Sequence, residues 1–187
     1  MRLLWAYHSV HHSSESYNFS TALRLPWFGT SASFLFHAPL VLLGFNPLFV
    51  ILSRQLVLLY QFWIHTEHVG RLGWFDRIFN SPSNHRVHHG SNPLYLDKNH
   101  GGILILWDKL HGTYQAELAS EPVRYGLTHP VGTQNPVRLN LHEPLALWRD
   151  VRRAATWREA LGFVVRGPAW RPETAPLRIP ARSAAAR

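Results

Sequence analysis

One histidine pattern occurs twice in this sequence. H-x-x-H-H is formed by His8, His11 and His12, and again by His85, His88 and His89. On an α-helix, the first, fourth and fifth residues of such a pattern lie within about 100° of one another around the axis, so their side chains share one face. A single copy fits a solvated histidine-rich helix, or a run of hydrogen-bonded core histidines, equally well. Two copies on either side of an apolar region favour a nitrogen-rich site, and six imidazoles from two facing helices predict room for two metal ions.

The ligand chemistry narrows the class of site without fixing the metal. Most histidines are neutral near pH 7, since their unperturbed pKa is about 6.5, and imidazole suits zinc, copper, iron and nickel alike. The chain has no cysteine, which excludes thiolate ligands and disulfides. It also lacks the H-E-x-x-H motif of metalloproteases and the Glu-x-x-His pair of carboxylate-bridged di-iron bundles.

Other residues are candidates for a supporting role. His65 stands at the end of an apolar run, where the chain would return to the site, and we expect it to be a seventh ligand. His68 fits either a ligand or a surface position, and His100 and His111 suit ordinary loop positions better than extra ligands. Four carboxylates are candidates for orienting the imidazoles, although each also fits a surface or capping position: Glu15, Glu67, Asp97 and Asp108. The pattern assigns no role to His37, His129 or His142.

The elements that must position these residues are predicted to be helices. Two apolar runs, residues 31–43 and 48–64, are separated by a turn at residues 44–47. Each run would form roughly 20–25 Å of helix, whereas the hydrocarbon core of a bilayer is about 30 Å thick. We therefore expect a helical hairpin that just crosses the membrane, or that enters it and returns. The alternative is a buried hairpin of a soluble α protein, and Arg54 inside the second run would have to face protein, water or the membrane surface.

The histidine clusters fall on helices on either side of this hairpin. Residues 1–12 are predicted to be the end of a helix, and Ser81-Pro82 and Gly90 are typical start and stop signals for a second, short one. Residues 91–114 are predicted to be rich in loops. From Pro144 onward the sequence predicts a weak amphipathic helix that either lies on a membrane surface or packs on the core. Its apolar stripe is Leu147, Val151, Ala154, Leu161 and Val165.

The charge of the chain points to a membrane rather than to nucleic acid. The formal net charge is +8, and much of it comes from arginines in the last forty residues. No nucleic-acid-binding motif is present, whereas basic residues beside an apolar segment are typical of the cytoplasmic face of a membrane. A solvated tail is the alternative. We expect residues 138–187 to form a basic amphipathic helix that ends in a flexible tail.

At these residues the chain resembles the fatty acid hydroxylase/sterol desaturase superfamily, and its sequence looks closest to the alkylglycerol monooxygenase branch. Three stretches carry the resemblance: "WAYHSVHHSSESYNFSTALR", "QFWIHTEHVGRLGWFDRIFNSPSNHRVHHGSNPLYLDKNHGGILILWDKLHGTY" and "YGLTHPVGTQNPV". The resemblance implies a domain over residues 1–137. It implies an all-α fold in which a membrane-embedded hairpin carries a cytoplasmic helical cap with a histidine-rich di-metal site.

The resemblance also implies a function and a ligand set. It implies an integral membrane oxygenase in which two iron ions, on the cytoplasmic side, use O2 to oxidise a lipid C–H bond of an alkylglycerol, fatty acyl chain or sterol. The family's second histidine box matches His8, His11 and His12, its third matches His85, His88 and His89, and its isolated ligand matches His65. No catalytic residue is implied beyond these ligands. The family's first box, an H-x(3–4)-H pair, has no counterpart, and Met1 falls where that box would just have ended.

The electrons must come from outside the chain, which has no dinucleotide-binding motif. The resemblance implies tetrahydrobiopterin, the reduced pterin used by the alkylglycerol branch, or a carrier of the cytochrome b5 or ferredoxin type. Two other functions compete with the oxygenase. One is a zinc-dependent hydrolase that activates water, and the other is an inactive metal-binding membrane remnant.

Overall fold

The structure is a computed structural model that describes residues 1–27 and 29–172. Within these residues the regular structure is helical, and the only β-type pairing is an isolated bridge between Phe79 and Leu104. The helices are α1 (Arg2–His12), α2 (Phe19–Ala22), α3 (Gly29–Leu42), α4 (Pro47–Trp63), a 3-10 turn (Phe75–Arg77), α5 (Pro82–His88), α6 (Leu106–His111), α7 (Pro136–Arg153) and α8 (Trp157–Val165). The prediction of an all-α fold is confirmed. The predicted flexible tail lies largely in residues 173–187, outside the described part.

The two apolar runs form helices α3 and α4, joined by a tight turn. Gly44 in this turn has a φ of 95°, a left-handed conformation that glycine adopts without steric cost. The Asn46 side chain then accepts a hydrogen bond from the Leu48 amide at 2.9 Å and caps α4. Most of the large apolar side chains of the hairpin are exposed, and α4 has no buried residue. Among the described helices, none combines the length and apolarity needed to cross a bilayer.

Helix α1, which carries the first histidine cluster, is held by the C-terminal helices. Ala6 of α1 packs in a small core with Leu147 of α7 and Phe163 of α8. The buried guanidinium of Arg2 donates to Glu143 at 2.8 Å and to Asp150 at 2.7 Å, and both carboxylates belong to α7. Removing one partner of a buried ion pair typically costs about 3–5 kcal/mol, so these bonds fix the position of α1.

The second cluster is carried by α5, which begins and ends close to the predicted signals. The Ser81 hydroxyl accepts a hydrogen bond from the Asn84 amide at 3.3 Å, and Pro82 occupies the first helical position. Gly90 follows the helix for a packing reason, because a Cβ atom there would lie 2.9 Å from the Tyr95 side chain. A short helix, α6, also forms within residues 91–114, which were predicted to be mostly loops.

Helix α7, the first of the two helices near the C-terminus, begins earlier than the sequence predicts. Helix α7 starts at Pro136 rather than at Pro144, because the Asn135 side chain caps the helix by accepting hydrogen bonds from the next two amides. Pro144 is tolerated in its interior. The predicted continuous stripe is also wrong in part, because the break after Arg153 changes the phase between α7 and α8. Leu147 is therefore buried, whereas Leu161 and Val165 are exposed.

Candidate metal centre

The structure brings all seven predicted ligands together in one place. Helices α1 and α5 face each other, and His65, just after the C-cap of α4, lies between them. The ring nitrogens fall into two groups, and within each group the candidate ligand atoms lie within 4.8 Å of one another. The first group, which is fully buried, is His11, His65, His85 and His89. The second, closer to solvent, is His8, His12 and His88.

The spacing of the ring nitrogens suits a shared cation in each group. In the four-histidine group, His65 Nε2 lies 3.1 Å from the Nε2 atoms of both His11 and His85. In the three-histidine group, His88 Nε2 lies 3.4 Å from His8 Nε2 and 3.2 Å from His12 Nε2. Two nitrogens bound to one ion at the usual metal–imidazole distance of about 2.0–2.1 Å stand roughly 3 Å apart.

Backbone carbonyls set the orientation of one imidazole in each group. His65 Nδ1 lies 2.6 Å from the Gln61 carbonyl oxygen, and His88 Nδ1 lies 3.2 Å from that of Lys98. A carbonyl can only accept, so each Nδ1 carries the proton and leaves a bare lone pair on Nε2. Each of these bare nitrogens is the atom that points at the other histidines. This is the arrangement in which an outer partner fixes the tautomer of a metal-binding histidine.

Two buried ring nitrogens have no hydrogen-bond partner among the described residues. They are His11 Nδ1 and His89 Nε2. A buried polar atom without a partner costs free energy, and His89 belongs to the four-histidine group, where a cation bound to this ring could relieve that cost.

Burial keeps these imidazoles neutral. Burial, reinforced by the neighbouring histidines, lowers the pKa of His88 to about 3, and the same causes hold the pKa of His12, His85 and His89 well below 6.5. Neutral rings have free lone pairs at physiological pH. The residues present therefore fit two cations held by four and three imidazoles, and ligation by these seven residues stays a prediction.

The four candidate carboxylates do not orient the ligands. Asp108 accepts hydrogen bonds from the His100 and Gly101 amides, both at 2.7 Å, and from the Thr113 hydroxyl, so it holds a loop instead. In the described residues, neither Asp97 nor Glu67 bonds to a ligand imidazole, and Glu15 lies at a separate surface pocket. Backbone carbonyls take this part instead, because the end of α4 and the loop after α5 bring the Gln61 and Lys98 carbonyls next to the rings.

The remaining histidines lie outside the two groups. The His100 ring is 5.8 Å from the His88 ring and lines the same cavity. His68 and His111 make local contacts with Thr66 and Trp107. His37 lies on helix α3 of the hairpin. His129 and His142 belong to neither group.

Two parts of the site are absent from the predictions made from the sequence. Tyr17 is 3% exposed, stacks at 5.5 Å on the ring of His65, and donates from its hydroxyl to the Ile64 carbonyl at 3.0 Å. Arg86 of α5 forms a two-point ion pair with Glu117 and also donates to the Thr66 and Val69 carbonyls. It thus ties α5 to the turn that follows His65. An arginine inside the second H-x-x-H-H could have been noted as buried, but its partner could not.

A cavity leads from the histidines into the hairpin. Its volume is about 960 Å³, and both groups contribute lining residues. Its walls are mainly apolar side chains of α3 and α4 and of residues 22–26. Polar side chains also line it, and among them Arg54 Nε donates to the Ser33 hydroxyl at 3.1 Å. Cavities of this size and lining hold mostly apolar ligands.

Comparisons with known proteins agree on one family. The family model described as "Fatty acid hydroxylase" matches residues 1–113. Alkylglycerol monooxygenase of Homo sapiens is 43% identical over 172 residues, and that of Danio rerio is 46% identical; each alignment covers 92% of this chain and 38% of the relative. The ornithine lipid hydroxylase OlsE of Rhizobium tropici is 32% identical over 130 residues, which are 68% of this chain and 39% of that protein. The chain thus spans less than half the length of these relatives, and no solved structure matches it significantly.

Proposed function

The chain belongs to the fatty acid hydroxylase family, and from this premise we propose that it is the metal-binding part of an O2-dependent di-iron lipid monooxygenase. One observation carries the proposal: seven neutral imidazoles converge as a group of four and a group of three, and members of both groups line an apolar cavity. Two neighbouring cation sites suit a two-metal centre. The relatives are a monooxygenase and a hydroxylase whose names specify lipids.

In this proposal the chain binds the metal ions, orients the imidazoles that hold them and shields the site from water. The seven histidines would hold two iron ions, which supply the oxidising chemistry with O2 when bound. The carbonyls of Gln61 and Lys98 keep His65 and His88 in the tautomer that presents Nε2. Burial of the four-histidine group excludes water from that side. Electrons come from an external donor, either tetrahydrobiopterin or a carrier of the cytochrome b5 or ferredoxin type.

The cavity indicates the substrate class. Its apolar walls suit an aliphatic chain such as that of an alkylglycerol or a fatty acyl lipid, and a sterol is the bulkier alternative. The exposed side chains of the hairpin suit direct contact with lipid: Leu42 is 87% exposed and Leu59 is 69% exposed. We therefore propose an integral membrane protein in which substrate enters beside α3 and α4, with the metal site on the cytoplasmic side.

Metal analysis tests the proposal directly. Protein purified without oxygen should hold about two irons per chain, and His88→Ala should lose iron because it removes the imidazole at the centre of the three-histidine group. His129→Ala is the matched control, since His129 lies outside both groups and should leave the iron content unchanged. The measurement is iron per chain by elemental analysis. It should be paired with O2-dependent product from ether-lipid and fatty-acyl substrates, also in a longer form with the predicted upstream H-x(3–4)-H pair.

Three outcomes would contradict the proposal in different ways. Zinc alone, with no activity on adding ferrous iron, would favour the hydrolase. Bound iron without product in either form would favour the inactive remnant. Equal iron loss in His88→Ala and His129→Ala would refute the assignment of the ligands.

A further inference from the structure

Helices α7 and α8, which pack on each other, each carry a row of exposed apolar side chains, far along the chain from the hairpin. These large side chains recur every three or four residues on each helix, so that they lie in rows. They are 37–70% exposed. We call this the α7–α8 surface, and it consists of Val137, Leu141, Leu145, Trp148, Trp157, Leu161 and Val165.

The exposed row of α7 lies on the side of the helix that faces away from the rest of the protein. The opposite side of α7 is already occupied, because Leu147 lies in the core and Glu143 and Asp150 bind the buried Arg2 of α1. Single exposed apolar residues are normal on a protein surface, but contiguous rows mark an interaction site. The exposed rows therefore call for a partner beyond the described residues of this chain.

The charge around the rows identifies the chemistry of that partner. Six arginines flank them and are all exposed: Arg138, Arg149, Arg152, Arg153, Arg158 and Arg166. Two of the three acidic residues within 136–172 are engaged by Arg2, so the local charge is strongly positive. The guanidiniums of Arg152 and Arg158 lie over the rings of Trp148 and Trp157, at 5.1 and 5.4 Å. Tryptophan beside arginine on an amphipathic helix is typical of a membrane interface.

We propose that the α7–α8 surface binds the surface of an anionic phospholipid bilayer. The apolar rows would lie at the boundary between headgroups and acyl chains, and the flanking arginines would pair with lipid phosphates. The place of α7 in the fold supports this contact. The Trp27 amide, at the base of the hairpin, donates to the Asn140 side chain of α7 at 2.9 Å, and Arg24 donates to Gln134 at 2.8 Å. The N-terminal part of α7 is thus tied to the base of the apolar hairpin.

The absence of cysteine makes a direct test available. Leu145→Cys and Leu161→Cys each introduce the only cysteine of the chain, and a nitroxide spin label attached there reports its surroundings. Leu94→Cys is the control, because Leu94 is 43% exposed but lies outside the surface. The full chain would be reconstituted in vesicles of phosphatidylcholine with or without phosphatidylserine. Access of the label would be measured to O2, which concentrates in lipid, and to a water-soluble nickel chelate.

We expect the labels at positions 145 and 161 to favour O2, more so with phosphatidylserine, and the label at 94 to favour the nickel chelate. Each arginine near an anionic surface should strengthen association about fivefold. The triple variant Arg149→Gln, Arg152→Gln, Arg153→Gln should therefore weaken the effect of phosphatidylserine strongly, by roughly 100-fold in association, while Arg138, Arg158 and Arg166 retain part of it. Circular dichroism would show that the helices persist in every variant.

Two results would overturn the proposal. If the labels at positions 145 and 161 favour the nickel chelate, as the control label at 94 does, the α7–α8 surface faces water. Labels shielded from both reagents would show a protein partner instead. A label at Leu59→Cys in the hairpin separates this proposal from the proposed membrane location: lipid access at 59 without lipid access at 145 rejects the α7–α8 contact alone.

Discussion

The ion pair between Arg86 and Glu117 offers the sharpest test of how the metal centre is held. The side chains of Arg86 and Glu117 are 8% and 21% exposed, and their closest atoms are 2.7 Å apart. Burial opposes the charge on Glu117, but hydrogen bonds from Arg86 and Ser83 outweigh it and hold the pKa of this carboxyl below its usual value. Arg86→Gln would leave the carboxylate without its cation and would remove the bonds to the Thr66 and Val69 carbonyls.

The expected loss is large for a single substitution. Breaking a buried pair by removing one partner costs about 3–5 kcal/mol. The partial exposure of Glu117 places the expectation at the lower end, about 3 kcal/mol. At roughly 2–4 °C per kcal/mol for a chain of this size, the melting temperature should fall by about 6–12 °C. Arg124→Gln is the matched control: its side chain is 68% exposed and lies 3.8 Å from Glu121, so it should cost at most about 1 kcal/mol.

The assay is denaturant unfolding of metal-free protein, monitored by tryptophan fluorescence. It is applied to both single variants and to the double variant Arg86→Met, Glu117→Leu. Replacing both charges by apolar groups of similar volume should recover part of the loss, because no buried charge is left unpaired, whereas the bonds to the Thr66 and Val69 carbonyls stay broken. Equal destabilisation by Arg86→Gln and Arg124→Gln would refute the argument. So would a double variant as unstable as the single one, since the loss would then not arise from the pair.

Three further predictions concern other contacts of the site. Because burial lowers the pKa of His88 to about 3, the unfolded chain binds the proton more tightly, so metal-free protein should lose stability as pH falls from about 6.5 towards 3; unchanged urea midpoints between pH 7.5 and 5.5 would contradict this. Gly90→Ala should cost about 1–3 kcal/mol because its Cβ has no room, whereas Gly70→Ala, in open space, should be nearly neutral, as thermal unfolding would show. Tyr17→Phe removes only the hydroxyl bond to Ile64 and should cost about 1 kcal/mol in urea unfolding; a loss as large as that of Tyr17→Ala would show that the hydroxyl, not the stacked ring, holds the site.

The local features of this protein were set by the sequence. The spacing of H-x-x-H-H places three imidazoles on one face, because the helical repeat depends only on neighbouring residues. Ser81, Pro82 and Asn46 act as caps or first-turn residues for the same local reason. The two apolar runs and the turn between them appear as α3, Gly44 and α4. Helix α7 starts at Asn135-Pro136, a good local start signal, rather than at Pro144, which the helix accommodates in its interior.

Only the tertiary structure decides which histidines belong to the group of four and which to the group of three. His11 and His12 are neighbours on α1, yet they belong to different groups, and His88 joins His8 and His12 rather than His85. That division depends on how α1 and α5 face each other, which long-range contacts fix: Arg2 with α7 and Arg86 with Glu117. The choice of carbonyls rather than carboxylates to orient the rings has the same origin. A sequence pattern specifies which side chains share a face of one helix, but the meeting of two faces is set by packing between residues far apart in the chain.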